Sequence, residues 1–331
     1  MGQGLGDLMV LLRCGRMAAG LPSAAVFAYG SLRPLTAAYQ EAVAPVVDQV
    51  IGDPADRARV GDALRAMSVK IGLTMLCYAR AAGREPQPAV VALAGAVTRL
   101  YDDLIDGIAD GDAGTARDDR LSDLFGARLF TPHGDVERLL GELVYRIADR
   151  VDDSYLDEAM FVALSTLHEY QCLSRRQREP DMPRDALEKI TRGKGAMAHL
   201  VLCSLVKAGM GIQERELVMA LGDALQSLDD YMDVEQDRDS GVTTLATLGA
   251  VTLADIGQRI RALRPRMVSC YGSPPTRRYC GMIYFLLLKS LVGRRLPFVG
   301  GLGRRAAGRS AVLRLLTRGD EALQPRGAGC R

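Results

Sequence analysis

Residues 213–237, QERELVMALGDALQSLDDYMDVEQD, combine a helical apolar pattern with a row of carboxylates. The apolar side chains recur at three- and four-residue intervals, which predicts one amphipathic helix over the stretch. Asp229, Asp233 and Asp237 then fall at i, i+4 and i+8 on one face, in a row about 12 Å long. Like charges at this spacing repel one another. We therefore expect the row either to be solvated or to bind cations.

A second acidic row ends the stretch PAVVALAGAVTRLYDDLID, residues 88–106. Asp102, Asp103 and Asp106 follow an apolar segment, and Asp102 and Asp106 again stand four residues apart. Carboxylates near the C terminus of a helix oppose the helix dipole, so this placement is unfavourable without a counter-charge. Two such rows, each directly after an apolar helix, indicate a common purpose more strongly than either row alone.

Most of the remaining chain also has helical periodicity, and alternating strand patterns are nearly absent. Beyond the two acidic stretches, the predicted helices cover 35–51, 56–82, 135–151, 154–177, 184–209, 253–271 and 275–292, with a Gly- and Asp-rich loop at 107–116. Several of these segments are apolar nearly all round and are expected inside a bundle. The prediction is an all-α, single-domain helical bundle of residues 35–295. An amphipathic segment (1–34) precedes it, and a basic, mobile tail (296–331) follows.

Composition and charge restrict the classes of function. The net charge of the 331 residues is +2, and the basic tail lacks an aromatic platform, which argues against nucleic-acid binding. No apolar run reaches the roughly 20 residues that a membrane span requires. The tail could contact anionic lipid, although a plain tail is the favoured interpretation. The first residues resemble a signal peptide only loosely, because Arg13 and Arg16 interrupt their apolar stretch.

Seven cysteines are scattered along the chain without a C-x-x-C pair. This pattern favours a reducing compartment, the cytoplasm, and argues against a structural zinc site. His133, His168 and His199 stand far apart in sequence. We predict ordinary core or surface positions for these three histidines rather than ligand positions.

Two facing carboxylate rows would suit Mg²⁺ ions that hold a diphosphate. Mg²⁺ takes oxygen ligands, uses few protein carboxylates, and completes its shell with water and substrate phosphates. A prenyl diphosphate would bridge two or three such ions through its head, while its tail enters a central apolar cavity. The alternative is that each row is only a solvated acidic face. The candidate metal ligands are Asp102, Asp103, Asp106, Asp229, Asp233 and Asp237.

Basic groups near these rows are candidates for binding the diphosphate. In RGKG, Arg192 and Lys194 precede the apolar stretch 196–206, and a helix start there would offer backbone amides to an anion. Each basic group taken alone is more often a solvated surface charge. The candidates are Arg192, Lys194, Arg238, Arg278 and Tyr279, with Arg65 and Lys70 as weaker ones.

DDLID and LDDYMDVEQD resemble the two aspartate-rich motifs of the all-α isoprenoid synthase superfamily. The resemblance covers about residues 50–245, with EYQCLS (containing Gln171) and RGKGAMAHL between the motifs. It is nearest to class IB terpene synthases, the tetraprenyl-β-curcumene synthase-like enzymes, whose motifs read D-x-x-x-D and D-x-x-x-D-x-x-x-D plus a basic residue. The matching positions here are Asp102 and Asp106, then Asp229, Asp233, Asp237 and Arg238. The resemblance implies the isoprenoid synthase fold, bound Mg²⁺ and a prenyl diphosphate substrate.

Two motifs of chain-elongating prenyl synthases are not matched. Those enzymes carry a Gly-Gly-Lys-Arg-like stretch before the first aspartate motif and Arg-Arg-Gly after it, which together hold a second diphosphate. Here the corresponding stretches read ALRAMSVK (63–70) and DDRLSDLFG (118–126). The departure favours a terpene synthase with a single substrate. The alternatives are a trans-prenyl diphosphate synthase with altered basic sites and a catalytically inactive prenyl-synthase-like subunit, and a homodimer is plausible.

The expected reaction releases pyrophosphate and leaves an allylic cation in a dry apolar cavity. Aromatic residues make up only 5% of the chain and Trp is absent, so the cavity would offer few π faces to a cation. This composition favours a linear or lightly cyclised product, or a long chain. The candidate lining residues, each more often plain core, are Tyr78, Tyr101, Phe161, Tyr170, Gln171 and Tyr231.

Overall fold

A computed structural model describes residues 19–107, 112–126, 128–152, 155 and 158–295, and every regular element among them is helical. One of these elements is a 3₁₀ turn, Arg175–Arg178. The predicted all-α class is therefore confirmed. The helices are α1 (Leu21–Ala42), α2 (Ala44–Val50), α3 (Pro54–Ala81), α4 (Pro88–Asp106), α5 (Asp112–Phe125), α6 (Asp135–Ala148), α7 (Glu158–Ser174), α8 (Arg184–Ser204), α9 (Ile212–Met232), α10 (Val234–Asp239), α11 (Leu253–Tyr271) and α12 (Ser273–Arg295).

Local capping signals set the ends of the helices that carry the site. Helix α4 begins at Pro88, whose missing N–H is not needed in a first turn. Asp53 caps α3 by accepting a 2.8 Å hydrogen bond from the backbone N–H of Asp56. Helix α3 then ends two residues before Gly83, which reverses the chain with a φ of +65°.

Several predicted boundaries differ from the structure, and three of these differences change the interpretation of the chain. Helix α1 runs through the expected boundary at 34/35 and packs on α3, α4 and α12, because Ala24, Ser31 and Leu35 form one buried stripe along it. The expected loop at 107–116 is helical from Asp112 onwards. The helix predicted over 213–237 ends at Met232 and resumes as α10.

The interruption at Asp233 leaves the spacing of the second acidic row largely intact. The φ and ψ angles of Asp233 are −95° and 7°, which lie outside the regular helix. Nevertheless its N–H bonds to the carbonyl of Asp229 at 3.0 Å, and the N–H of Asp237 bonds to the carbonyl of Asp233 at 2.8 Å. The i to i+4 connection therefore continues through the break, and the row bends at its middle member.

The buried apolar side chains form two clusters. The first surrounds α4, whose residues 90–96 are all buried, so that α4 lies inside the helical assembly as its sequence predicts. The second cluster joins α9, α11 and α12 through residues such as Leu221, Ile256 and Ile283. Tyr271, the last residue of α11, packs against both clusters. Each cluster supports one helix that ends in an acidic row.

Two glycine contacts bring the helices of the site close together. A Cβ on Gly195 of α8 would lie 2.6 Å from the carbonyl oxygen of Gly222 on α9, and a Cβ on Gly95 of α4 would lie 2.5 Å from Cα of Ser68 on α3. Backbones can approach this closely only where no side chain intervenes. The crossings place the RGKG segment beside α9, and they place the middle of α4, the helix that carries the first acidic row, beside α3.

Among the described residues, no helix has the length and apolar character needed to cross a membrane. Most of the predicted N-terminal segment, residues 1–18, and the whole predicted basic tail, 296–331, lie outside the described residues.

Candidate functional site

The two acidic rows converge around Lys194. This half-buried lysine lies on α8, which packs along α9. Burial opposes a charge on Lys194, but the attraction of nearby carboxylates outweighs burial and raises the pKa of its ammonium above the ordinary value. Those carboxylates are Asp102 and Asp106 of the first row, Asp229 of the second row, and Asp230 next to it in sequence. The sequence prediction that the rows face one another is consistent with this arrangement.

Lys70 of α3 also interacts with carboxylates of both rows. Its Nζ donates to Oδ1 of Asp229 at 2.5 Å, and this contact is the largest cause of the raised pKa of Lys70. Asp233 and Asp102 raise the same pKa further. Both side chains of the Lys70–Asp229 pair remain partly exposed, so the pair itself stabilises the fold by less than about 1 kcal/mol. The sequence had marked Lys70 only as a weak candidate.

The first row is oriented by two groups from the end of α7 and the turn after it. Nε2 of Gln171 donates to Oδ1 of Asp102 at 2.7 Å, and Gln171 is only 4% exposed. Arg178, in the 3₁₀ turn, approaches Oδ1 of Asp106 at 3.7 Å. Gln171 therefore acts on the acidic row itself rather than as a plain lining residue, and Arg178 is a site residue that the sequence analysis missed.

Asp103 does not point into the shared site. It is 1% exposed and accepts from Nε of Arg99 at 2.8 Å, one helical turn earlier on α4. Burial raises the pKa of Asp103 to about 7, against the opposing pull of Arg99. We therefore remove Asp103 from the candidate metal ligands, because neighbouring residues on a helix face different directions.

The carboxylates in and beside the second row also differ in how accessible they are to a ligand. Burial raises the pKa of Asp230 to about 6, although Gln226, Lys194 and Thr191 act in the opposite direction. Gln226 donates to Asp230 at 2.8 Å. Asp229 and Asp233 are half-buried, whereas Asp237 is only 6% exposed. The members most accessible to a ligand are therefore the first two of the predicted row.

The structure corrects the expected role of RGKG. Helix α8 begins at Arg184, so Arg192 and Lys194 lie in its middle and their backbone amides are not free to bind an anion. The side chain of Arg192 is 70% exposed and pairs with Asp223 at 3.6 Å. Of the two predicted diphosphate ligands in this segment, only Lys194 lies among the acidic rows.

The remaining predicted diphosphate ligands are dispersed. Arg238 is exposed, donates to the carbonyl of Thr247 at 3.2 Å and pairs with Glu235 at 3.7 Å. Arg278 is exposed on α12. Tyr279 is buried in the second apolar cluster, where its hydroxyl lies 3.3 Å from Nε2 of His199. Tyr279 is thus a core residue and not a diphosphate ligand. Arg278 and Tyr279 are neighbours on α12, so their side chains lie on different faces of the helix, one exposed and one buried.

The contact of Tyr279 leads to a prediction for His199→Gln. Burial lowers the pKa of His199 from 6.5 to about 4, so the unfolded chain binds a proton before the folded chain does. This contribution to stability is fully present above pH 6.5 and is lost as the pH falls towards 4. At pH 5 the protonation of His199 in the unfolded chain lowers the free energy of unfolding by on the order of 1–2 kcal/mol. His199→Gln should not show this loss when urea unfolding is measured as a function of pH.

The profile of the variant must be compared with that of the wild type. The raised pKa values of Asp103 and Asp230 act in the opposite direction, because the folded protein binds their protons first. Subtracting the two profiles cancels these carboxylates and isolates His199. The exposed His133→Gln variant controls for the loss of an imidazole as such. An unchanged acid slope in His199→Gln would contradict the prediction.

The aromatic candidates mostly form core contacts. The hydroxyl of Tyr78 donates to Oε1 of Glu214 at 3.1 Å, and the hydroxyl of Tyr101 lies 2.8 Å from Nδ1 of His168. Tyr231 is 8% exposed within the second cluster, and Phe161 is half-buried on α7. These contacts are consistent with the core interpretation that the sequence kept open for each aromatic residue.

Tyr170 is different, because it lines an open groove between α7 and α8. The groove has a volume of about 360 Å³, and Arg192, Met197 and Met219 also line it. The ring of Tyr170 covers Gly193 so closely that a Cβ there would overlap it. None of the residues lining this groove belongs to the two acidic rows. The central apolar cavity beneath the rows therefore stays a prediction.

No protein-family model matches the chain, and no curated protein matches its sequence.

Proposed function

We propose that this chain is a Mg²⁺-dependent terpene synthase that ionises a linear prenyl diphosphate and releases pyrophosphate with a hydrocarbon or a terpene alcohol. The proposal includes a single-domain bundle of the isoprenoid synthase type around a central apolar cavity. One observation carries it: Lys70 and Lys194 each interact with carboxylates of both acidic rows. These shared interactions support one site built from rows that are 127 positions apart at Asp102 and Asp229.

The donor groups at this site fit Mg²⁺. Asp102, Asp106, Asp229 and Asp233 offer partly accessible carboxylate oxygens, the ligand type that Mg²⁺ prefers. Two ammonium groups lie near these carboxylates, which supports a site that accepts positive charge. When bound, Mg²⁺ would supply Lewis-acid stabilisation to the departing pyrophosphate.

The chain's own residues would orient and neutralise the substrate head. Gln171 holds one carboxylate oxygen of Asp102 and leaves the other free for a ligand. Lys194 is surrounded by carboxylates of both stretches and would donate to phosphate oxygens. Lys70 would transfer its hydrogen bond from Asp229 to the diphosphate when the carboxylate binds metal. The buried apolar helix α4 leads away from this head site and would exclude water from the reacting carbon.

An assay with single substrates tests the proposal. Purified full-length protein would be incubated with Mg²⁺ and geranyl, farnesyl, geranylgeranyl or a longer prenyl diphosphate. Pyrophosphate release and gas chromatography of an organic extract would report turnover. We expect a hydrocarbon or an alcohol from one of them. No turnover of any chain length, with or without a second substrate, would contradict an enzymatic role.

The same assay separates the two alternatives. A chain-elongating trans-prenyl diphosphate synthase would form product only after isopentenyl diphosphate is added. An inactive prenyl-synthase-like subunit would show no product under either condition. The accessible acidic residues of both rows favour an active site over an inactive subunit, because a subunit without catalysis has no use for clustered carboxylates.

Lys70→Met should raise the affinity of the substrate-free protein for Mg²⁺. The replacement removes a competing ammonium from Asp229 but keeps the length of the side chain. For a partly exposed pair, about 1 kcal/mol of attraction corresponds to roughly fivefold tighter Mg²⁺ binding. Isothermal titration calorimetry would measure the change, and KM for the diphosphate should rise in the same variant.

The exposed Lys189→Met variant provides the matched control, because it also removes one lysine charge from the protein. Its Mg²⁺ affinity should remain that of the wild type. Equal or weaker Mg²⁺ binding in Lys70→Met would contradict direct competition between the ammonium and the metal at Asp229.

A further inference from the structure

A second group of ligand-type side chains lies between α5 and α7, outside the acidic rows. Asp118 of α5 and His168 and Cys172 of α7 each offer one ligand atom, and the three atoms lie within 4.8 Å of one another. His168 and Cys172 stand four residues apart and therefore share one face of α7. From this geometry we propose that Asp118, His168 and Cys172 bind a divalent transition-metal ion of the zinc class.

The spacing of the ligand atoms fits such an ion. Sγ of Cys172 lies 3.7 Å from Nε2 of His168. In a tetrahedral zinc site, bonds of about 2.3 Å to sulfur and about 2.05 Å to nitrogen place these two atoms about 3.6 Å apart. The observed separation therefore needs little adjustment. A carboxylate, an imidazole and a thiolate together suit Zn²⁺ or Co²⁺ rather than Mg²⁺, since Mg²⁺ prefers oxygen ligands alone.

Outer contacts already orient two of the three ligands. Nδ1 of His168 lies 2.8 Å from the hydroxyl of Tyr101, and Nε2 lies 3.1 Å from the backbone carbonyl of Asp118. A carbonyl only accepts, so Nε2 carries the proton in this contact; with a metal bound, the proton would sit on Nδ1 facing Tyr101, and Nε2 would exchange the carbonyl for the ion. Nη2 of Arg175 donates to both carboxylate oxygens of Asp118, at 2.6 and 2.5 Å. Each oxygen has a second lone pair, so Asp118 can keep Arg175 and still coordinate an ion.

The charges of the three ligands and Arg175 are compatible with binding a divalent ion. Without metal, Arg175 neutralises Asp118, and a protonated Cys172 leaves the group neutral overall. With a divalent ion, the carboxylate and the thiolate offset the charge of the metal, while Arg175 stays at the outer side of the carboxylate. Three protein ligands leave a fourth position for water. His168 is 8% exposed and Cys172 is partly accessible, which gives an ion a route into the group.

This site is separate from the proposed catalytic site but shares a helix with it. Gln171, which holds Asp102, lies between His168 and Cys172 on α7. An ion that ties α5 to α7 would therefore rigidify the helix that orients the first acidic row. The inference does not depend on the proposed function, because metal binding can be measured in the absence of any prenyl diphosphate.

The experiment measures Zn²⁺ and Co²⁺ binding to reduced, chelator-treated full-length protein in excess Mg²⁺, which occupies carboxylate-only sites. We expect one equivalent of Zn²⁺ by calorimetry and a thiolate-to-cobalt charge-transfer band. Cys172→Ser should abolish the band and weaken Zn²⁺ binding by at least about 100-fold, because loss of an outer partner alone already costs about 10–100-fold. Cys270→Ser, which removes an exposed thiol of α11, should change neither signal. No binding by the wild type, or a band that survives in Cys172→Ser, would overturn the proposal.

A measurement on the wild type guards against misfolding of the variant. Zn²⁺ should slow the alkylation of Cys172 but not that of Cys270 in the same sample, with each thiol followed by peptide mass spectrometry. Equal alkylation rates of Cys172 with and without Zn²⁺ would also overturn the proposal.

Discussion

Asp229→Asn should lower the rate of prenyl diphosphate ionisation by at least about 100-fold, which is the scale of losing one group that stabilises charge in a transition state. Asparagine keeps the size of the side chain but removes the negative charge that attracts Lys70 and, in the proposed mechanism, Mg²⁺. Pyrophosphate release under saturating substrate would measure the change. The free energy of unfolding should fall by less than about 1 kcal/mol, because the Lys70–Asp229 pair is partly exposed.

Two companion variants separate a metal role from a general charge effect. Asp239→Asn removes an exposed carboxylate at the end of α10, ten residues further along the same acidic stretch, and should keep full activity. Asp102→Asn removes a carboxylate from the opposite row and should be as harmful as Asp229→Asn. The Mg²⁺ concentration for half-maximal rate should rise in both row variants. Undiminished turnover in Asp229→Asn would exclude this row from the chemistry.

The sequence predicted the helices well where local signals mark their ends. Helices α4 and α11 have the predicted bounds, because Pro88 starts one and a Thr252–Asp255 capping box starts the other. The start of α5 was missed, since a Gly- and Asp-rich stretch reads as a loop although it is helical from Asp112. The break at Asp233 was missed as well, because no Gly or Pro marks it and its i to i+4 bonds persist.

The candidate site was predictable only in part, because a motif gives spacing and not orientation. The positions four residues apart, Asp102 and Asp106, interact with the same lysine, as the helical period implies. Asp103 stands beside Asp102 in DDLID, and Tyr279 stands beside Arg278, but the side chains of Asp103 and Tyr279 are both buried. The acidic rows alone could not identify Lys70 and Lys194 as their partners, because these contacts depend on how α3 and α8 cross α4 and α9.

The glycine crossing of α8 and α9 leads to the second prediction. In Gly222→Ala the new Cβ would overlap the carbonyl oxygen of Gly195, and in Gly195→Ala it would lie 2.6 Å from the carbonyl oxygen of Gly222. Both obstacles are backbone atoms of a packed helix, so the helices must separate. Overpacking then outweighs the gain of about 1 kcal/mol in helix propensity. We expect either variant to lose about 2–3 kcal/mol in the free energy of unfolding.

A control substitution separates steric overlap at the crossing from the general effect of replacing a helical glycine on the free energy of unfolding. Gly30 lies in α1 with open space around its Cβ position, so Gly30→Ala should stabilise the protein by about 0.5–1 kcal/mol. Urea unfolding of the three variants would measure these differences with their signs. The crossing also sets the distance between Lys194 and the carboxylates of α9. Gly195→Ala protein that remains folded at low temperature should therefore bind a diphosphate more weakly, whereas Gly30→Ala protein should bind it normally. If Gly195→Ala and Gly222→Ala both matched Gly30→Ala in stability, the close approach of α8 to α9 would be wrong, and with it the convergence of the acidic rows on Lys194.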